Sequence, residues 1–166
     1  MTFEPRRAIV TAADSGIGRA TAVALAEAGM DIGITWHSDE AGARDTASRV
    51  RAAGASAEVT RLDTSALDSC GDVIDELAGR LGGVDVFVNN AGTGSAALAL
   101  EMTAAQWRQV VATDLDGAFL CIQRAARHMV AAGHGGRIIA VASVHDEHPP
   151  RRLRPTTRPS TGWAAW

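Results

Sequence analysis

The stretch Arg7-Ala-Ile-Val-Thr-Ala-Ala-Asp-Ser-Gly-Ile-Gly18 decides the fold, because an apolar, strand-like run turns through glycines into a helical pattern. Residues 7–11 predict a strand, and the Ala/Leu-rich residues 17–28 predict a helix that Gly29 ends. A glycine turn between strand and helix lets backbone N–H groups approach a pyrophosphate at the helix N-terminus. Alone, this motif is also consistent with a tight turn whose glycines serve only the geometry of the chain.

The rest of the chain repeats this alternation of strand-like and helix-like segments up to Ser143. Hydrophobic periodicity predicts strands over 31–36, 57–63, 84–88 and 137–143, and helices over 39–53, 67–81 and from the capping box at Thr103 to Met129. Strands that alternate with helices form right-handed crossovers and a parallel sheet covered on both faces. We therefore expect a Rossmann-like, doubly wound α/β fold, truncated after the fifth strand.

Polar residues collect where the predicted strands end. Asn89-Asn-Ala-Gly92 follows the fourth strand, Asp63 closes the third, and Ser143 closes the fifth. In a doubly wound fold these carboxyl ends form the edge that binds ligands. Asn and Gly are also ordinary turn residues. At this edge the Asp63 carboxylate could accept a hydrogen bond from an adenine amine.

Composition excludes several classes of protein. The chain has 166 residues, of which 46% are hydrophobic and 21% charged, as in one globular domain. No apolar run reaches transmembrane length, no secretion signal opens the sequence, and the two cysteines fit a reduced compartment. We therefore expect a cytoplasmic protein without a membrane partner. The net charge of −3 argues against a general nucleic-acid binder.

Two residue types are missing, and charge is unevenly distributed. The sequence contains no tyrosine and no lysine, so all sixteen cationic residues other than histidine are arginine. All nineteen acidic residues lie at or before Glu147, whereas four prolines and four arginines fall in the last eighteen residues. This shift predicts an α/β domain over residues 1–148 and a disordered Pro/Arg-rich tail over residues 149–166.

At this point the sequence resembles the classical short-chain dehydrogenase/reductases. That family carries a T-G-x-x-x-G-x-G turn, an Asp after the third strand, an N-N-A-G segment and a Ser after the fifth strand. The chain resembles most its bacterial branch of ketoacyl-carrier-protein, glucose and acetoin/diacetyl reductases and dehydrogenases. The segments WRQVVATDLDGAFL (107–120) and GGRIIAVASVH (135–145) carry this likeness. The resemblance covers Arg7 to about His148.

The resemblance implies NAD(P)(H)-dependent oxidation of a small alcohol or reduction of a ketone. It implies that Ser15, Gly16, Ile17 and Gly18 meet the pyrophosphate and ribose. By the same resemblance, Asp63 and Thr64 would contact the adenine, and Asn89, Ala91 and Gly92 would line the ribose and nicotinamide side. Ser143 would hold the substrate carbonyl oxygen.

Three positions depart from the family pattern or decide between cofactors. Ala12 replaces the first turn glycine, which is tolerable if that residue keeps a negative φ. Asp114 replaces the asparagine of the family's proton relay, which puts that catalytic role in doubt. After the second strand, His37 occupies the place of an NADP-binding arginine, and no carboxylate stands there. This position favours NADP(H) over NAD(H) by a small margin.

The family's Tyr-x-x-x-Lys pair, which transfers the proton, is absent. Read one base out of frame with permitted synonymous codons, Arg154 to Trp166 can spell S-A-Y-D-A-A-K-H-G-L-G-G-L, which matches the missing segment. We interpret the tail as a frameshift between Ser143 and Arg154, and expect negligible turnover from this chain. The fifth strand would then be an unpaired apolar edge, and the loss of half the family's dimer helices argues against its homo-oligomer.

Other interpretations stay open beside this one. His145-Asp-Glu-His148 could ligate zinc, although a solvated loop is the simpler interpretation, so we expect no metal. The arginine tail could be a nucleic-acid patch, but aromatic residues do not interleave it. Cys70 and Cys121 lie on apolar helical stripes that are typical of a core. The chain could also be a non-catalytic dinucleotide-binding remnant, or a module that pairs through its exposed sheet edge with an intact relative.

Overall fold

The computed structural model describes residues 3–95 and 97–143. In chain order the elements are β1 (Arg7–Val10), α1 (Gly16–Glu27), β2 (Asp31–Trp36), α2 (Glu40–Ala52), β3 (Ala57–Arg61), α3 (Cys70–Leu81), β4 (Val86–Asn89), α4 (Ala104–Val111), a π-helical segment (Ala112–Gly117), α5 (Ala118–Ala132) and β5 (Arg137–Ala140). This order confirms the predicted alternation.

The strands form one parallel sheet in the order β3-β2-β1-β4-β5. After β3 the chain crosses back over the sheet and adds β4 on the other side of β1, so the switch point, where a doubly wound fold opens its crevice, lies between β1 and β4. One core cluster packs Ile32, Ile34 and Val88 with residues of α1 and α2. The other packs Phe87, Ile74 and Cys121 between the sheet, α3 and α5. Both faces are thus covered, and the fold is the predicted Rossmann-like α/β sheet.

The long helix predicted from the capping box at Thr103 to Met129 is interrupted. The capping box itself is confirmed, since Thr103 and Gln106 bond each other's backbone N–H groups. However, residues Ala112–Gly117 form a π-helical segment between α4 and α5. A π-segment adds residues to a turn without changing the apolar pattern on either side, so periodicity does not reveal it. It places Gly117 directly against the carbonyl group of Thr64.

Several boundaries differ from the sequence-based expectation by a few residues. Helix α3 begins at Cys70 instead of residue 67, and β5 ends at Ala140 instead of Ser143. Cys70 and Cys121 are both buried, which confirms that they belong to the core. All four residues of β5 are exposed, with Ile138 at 42% and Ile139 at 48%. Among the described residues, no strand pairs with the outer edge of β5.

Some expectations fall on residues outside the described ranges. These are the His145-x-x-His148 metal interpretation, the Pro/Arg-rich tail and its out-of-frame interpretation. Within residues 3–95 and 97–143, no group of three or more metal-ligating side chains lies close enough to hold an ion. No helix of that part is both long and apolar enough to cross a membrane.

Candidate functional site at the carboxyl edge of the sheet

Two buried threonines join the loops that follow β1, β2 and β4. Thr11 Oγ1 accepts the backbone N–H groups of Asn90 at 2.9 Å and Ala91 at 2.8 Å. Thr35 Oγ1 accepts the N–H of Ala12 at 3.1 Å. Both threonines are almost completely buried, so these bonds are shielded from water. The loops of the switch point are therefore held as one surface at the carboxyl edge of the sheet.

Ala12 lies in the left-handed region at φ 48°, so the negative φ that would make alanine tolerable at this position is not found. Three bonds hold this conformation: the Ala12 N–H donates to Thr35, its carbonyl accepts Asn90 Nδ2 at 3.1 Å, and the next N–H, of Ala13, donates to the Thr35 carbonyl at 2.9 Å. A non-glycine residue in this region costs about 1–2 kcal/mol. The turn thus keeps the backbone shape of a glycine although the residue is alanine.

Replacing Ala12 by glycine is expected to raise the free energy of unfolding by about 1 kcal/mol, because glycine adopts a positive φ without steric cost. Urea unfolding followed by circular dichroism measures the change. Ala53→Gly is the control, since Ala53 is an exposed helix cap at φ −79° where glycine brings no relief. Equal effects of the two substitutions would show that Ala12 is not strained.

The N-terminus of α1 presents backbone N–H groups next to this turn. Gly16 has φ +52° and nothing within 4 Å of the place where a Cβ would stand, so it faces open space. Ile17 is 63% exposed, which is unusual for a large apolar side chain at a helix start. Ser15, the N-cap residue, does not cap the helix with its side chain. The first N–H groups of a helix have no intrahelical partner, so they are available to a ligand.

Gly18 has a different role, because it lets α1 pack against the turn. A Cβ at this position would overlap the carbonyl oxygen of Ala12 and lie 2.6 Å from Asn90 Nδ2. Gly18 itself is buried. Its absence of a side chain thus serves the close approach of helix and strand, which is the packing role of a glycine in such turns.

Two clefts meet at this edge and share Ala12, His37 and Gly92. The first cleft, of about 540 Å³, lies over the ends of β2 and β3 and is bounded by α4 and the π-segment. Its other lining residues are Thr35, Trp36, Leu62, Asp63, Thr64, Ala91, Thr93, Gln109 and Thr113. The second, of about 1010 Å³, lies over the N-terminus of α1, and its other lining residues are Asp14, Ser15, Gly16, Ile17, Ser38 and Asn90.

The Asp63 carboxylate is held by hydrogen bonds from Ser65 and lies close to His37. Its Oδ1 accepts the Ser65 hydroxyl at 2.7 Å and the Ser65 N–H at 3.0 Å, while Oδ2 lies 3.6 Å from His37 Nε2. The hydrogen bond from the Ser65 hydroxyl outweighs partial burial and, with the Ser65 N–H and His37, lowers the pKa of Asp63. Asp63 is therefore a carboxylate at neutral pH, and only Oδ2 faces the cleft without a short hydrogen bond among the described residues.

Asp114 lies in the π-segment, where its Oδ1 accepts the Thr93 N–H at 2.7 Å. Burial raises the pKa of this carboxyl group, and the Thr93 N–H opposes that shift. Asp114 thereby anchors the loop after β4, next to Gly92 and Thr93 of the first cleft. A carboxylate oxygen accepts this N–H as an amide oxygen could, so the anchor of the loop needs no asparagine.

The structure gathers most of the expected site residues, but not all. Ser15, Gly16, Ile17, His37, Asp63, Thr64, Ala91 and Gly92 line one or both clefts. Gly18, Asn89, Asp114 and Ser143 line neither. Asn89 is buried, and its Oδ1 has no hydrogen-bond partner among the described residues. Ser143 is partly buried and follows the end of β5 by three residues.

Asn90 lines the second cleft and clamps the first turn, although the sequence motif that contains it gave it no role of its own. Its Nδ2 donates to the carbonyl groups of Thr11 at 3.0 Å and Ala12 at 3.1 Å. The second asparagine of the Asn89-Asn90 pair was the available signal, since a polar residue directly after a strand at the switch point faces the ligand edge. Thr93, Gln109 and Thr113 were also missed. The packing of α4 and the π-segment brings Gln109 and Thr113 to the first cleft, and the bond to Asp114 holds Thr93 there.

Comparisons with known proteins agree with this geometry. Residues 6–153 match the family model described as short chain dehydrogenase. The chain is 53% identical over 142 residues to the uncharacterized oxidoreductase YohF of Escherichia coli K12, covering 86% of this chain and 56% of that protein. It is 44% identical to cis-4-hydroxycyclohexanecarboxylate dehydrogenase of Sinomonas cyclohexanicum, again covering 86% and 56%.

A solved structure shows the same arrangement of elements. The crystal structure of acetoin dehydrogenase YohF from Salmonella typhimurium superposes with a TM-score of 0.92 at 48% identity, covering 98% of this chain and 64% of that one. The chain thus spans little more than half the length of the curated relatives it matches. The family match, these identities and the shared fold together show that this chain belongs to the short-chain dehydrogenase family.

Proposed function

We propose that this chain is the nucleotide-binding part of an NAD(P)(H)-dependent oxidoreductase that acts on a small alcohol or ketone. The observation that carries the proposal is the pair of joined clefts, which run from the N-terminus of α1 to the ends of β2 and β3. Membership of the family supports a nicotinamide dinucleotide as the ligand. The bound nicotinamide would supply the hydride donor or acceptor.

The residues present fit such a ligand. Gly16, with its positive φ and open space, and the exposed N–H groups at the start of α1 suit a pyrophosphate. Asp63 Oδ2 and Thr64 would hold the adenine in the first cleft, and Ala91 and Gly92 would line the path to the nicotinamide. His37 lies directly after β2 and is a cation when it is protonated. A cation at this position favours NADP(H) over NAD(H), and we propose this preference as well.

Catalysis is proposed to be negligible for these 166 residues by themselves. Ser143 would hold the substrate carbonyl oxygen, and Asp114 stands in the relay position, but the sequence contains no tyrosine or lysine to exchange the proton. Loss of a general acid lowers a rate by about 10²–10⁴. We therefore propose that residues 1–148 bind dinucleotide without turnover. Residues 149–166 are proposed as a Pro/Arg-rich tail outside that domain.

Binding of NADPH to the 166-residue chain tests the proposal by isothermal titration calorimetry. Ile17→Glu is expected to weaken binding by about 10-fold or more, because it adds a negative charge to the cleft that would hold the pyrophosphate. The same charge is favourable at a helix N-terminus and Ile17 is exposed, so the fold should tolerate it. Val130→Glu, on an 80% exposed residue of α5, is the matched control.

Absence of NADPH and NADH binding in the unsubstituted chain would contradict the proposal, as would equal losses in the two glutamate variants. The alternative, a module that pairs through its sheet edge, is favoured by the exposed Ile138 and Ile139 of β5. Such a module needs no dinucleotide, so the same titration separates the two functions.

A further inference from the structure

We propose that Arg61 is a specificity-determining residue that, together with His37, forms a two-cation site for the 2′-phosphate of NADP(H). This inference rests on the proposed function, since it assumes that the joined clefts bind a nicotinamide dinucleotide. It assigns the discrimination between NADP(H) and NAD(H) to the end of β3 as well as to the end of β2.

The backbone places Arg61 beside His37. Strands β2 and β3 pair with Trp36 opposite Arg61, so the residues that follow each strand emerge side by side. The Leu62 N–H donates to the Trp36 carbonyl at 2.7 Å and continues this pairing past the end of β3. The Arg61 side chain then extends to the residue directly after β2, where Nε donates to the His37 carbonyl oxygen at 3.0 Å. The guanidinium group is thereby held against the backbone of the residue that lines both clefts.

The charge of Arg61 is available to a ligand. Within residues 3–95 and 97–143 its guanidinium lies within ion-pair distance of no carboxylate, whereas those of Arg19, Arg44 and Arg80 are each paired with at least one. The bond to the His37 carbonyl uses one of five N–H donors, so both terminal nitrogens remain for a second acceptor. A guanidinium fork of this kind matches the oxygen spacing of a phosphate.

His37 provides the second donor group, which is a cation when protonated, and Asp63 competes with a ligand for it. The His37 side chain is 60% exposed, and its Nε2 lies 3.6 Å from Asp63 Oδ2. NAD(H) carries only ribose hydroxyls at this position, so His37 can remain beside Asp63 when NAD(H) is bound. A phosphate competes with Asp63 for His37 but meets no such competitor at Arg61. Arg61 is therefore expected to contribute the larger share of the discrimination.

Arg61→Ala tests this inference by equilibrium titration with NADPH and, separately, NADH. The expected result is a loss of NADPH affinity of about 10-fold or more, as for a charge-assisted hydrogen bond, with NADH affinity unchanged. Arg127→Ala is the matched control, because it removes the same charge from an exposed position on α5 and should alter neither affinity. Circular dichroism of both variants checks that the fold is retained.

Four results would overturn the inference. Equal losses of NADPH and NADH affinity in Arg61→Ala would mean that Arg61 only supports the loop. Unchanged NADPH affinity in Arg61→Ala would place the phosphate elsewhere. An equal loss of NADPH affinity in Arg127→Ala would show that net charge alone causes the effect. Equal affinities of the unsubstituted chain for NADPH and NADH would also reject it while the proposed function stands. If that chain binds neither nucleotide, the proposed function itself fails.

Discussion

Replacing Gly117 by alanine is expected to lower the free energy of unfolding by about 3 kcal/mol or more, because the new methyl group has no space. Gly117 closes the π-segment, and a Cβ there would overlap the carbonyl oxygen of Thr64 and lie 2.7 Å from its carbonyl carbon. Backbone on both sides must then move apart, since neither partner is a flexible side chain. Thermal and urea unfolding measure the loss.

The control for this substitution is Gly79→Ala. Gly79 lies on the exposed side of α3, and nothing stands within 4 Å of its added Cβ. Alanine is the better helix former, so this variant should gain about 0.5–1 kcal/mol. The two substitutions are thus expected to change the free energy of unfolding in opposite directions. A Gly117→Ala variant as stable as the unsubstituted chain would show that Gly117 and Thr64 are not in close contact.

Gly117→Ala also has an expected effect on binding. Thr64 lines the first cleft, and Gly117 belongs to the same π-segment as Asp114. Displacement of the Thr64 backbone would therefore widen or tilt the cleft that we propose for the adenine. NADPH affinity should fall together with stability in Gly117→Ala and stay unchanged in Gly79→Ala.

Replacing Asp85 by alanine is expected to cost about 3 kcal/mol, because it removes a buried carboxylate that accepts two backbone N–H groups and pairs with the partly exposed Arg7. The Asp85 side chain is only 3% exposed and accepts the backbone N–H groups of Arg6 at 2.9 Å and Arg7 at 3.0 Å. It also accepts Arg7 Nε and Nη2, both at 3.1 Å. Without the carboxylate these donors lose their acceptor at the amino-terminal edge of β1 and β4. Asp68→Ala, at an exposed aspartate, is the control and should change stability little.

The contribution of Asp85 should also depend on pH. Burial by itself would raise the pKa of Asp85, but the hydrogen bonds from Arg7 and the backbone N–H of Arg6 outweigh burial and lower it. A lowered folded-state pKa stabilises the fold above the unfolded-state value of about 3.9, and this stabilisation disappears as the pH falls through the folded-state pKa. The difference between the unsubstituted chain and Asp85→Ala should therefore be full at neutral pH and shrink below about pH 4. A constant difference from pH 7 to pH 2 would contradict this assignment.

Much of the fold was predictable because its signals are local. The apolar run of β1, the glycine stop after α1 and the Thr103–Gln106 capping box each depend on neighbours within a few residues. Strand ends were less predictable, as for β5, which stops at Ala140 although the apolar pattern continues to Ala142. A strand continues only while a neighbouring strand offers hydrogen bonds, and that depends on the partner's length as well as on the strand's own sequence.

The candidate site was predictable where a motif marks it. The glycines of the first turn, the Asn89-Asn-Ala-Gly92 segment and Asp63 all lie at the predicted edge. Gln109 and Thr113 were missed, since each reaches the first cleft through the position of its element rather than through a recognisable spacing. The role of Arg61 was invisible as well, because the bond to His37 joins two strands whose register the sequence does not state.

The sequence by itself determined the order of the elements, the parallel sheet, the family and the lack of a phenol or an amine for proton transfer. These follow from residue identity and from periodicity along the chain. Only the tertiary structure decided the left-handed Ala12, the π-segment, the pairing of His37 with Asp63 and the placement of Arg61. Each of these depends on contacts between residues distant in sequence, where packing and buried hydrogen bonds override local preference.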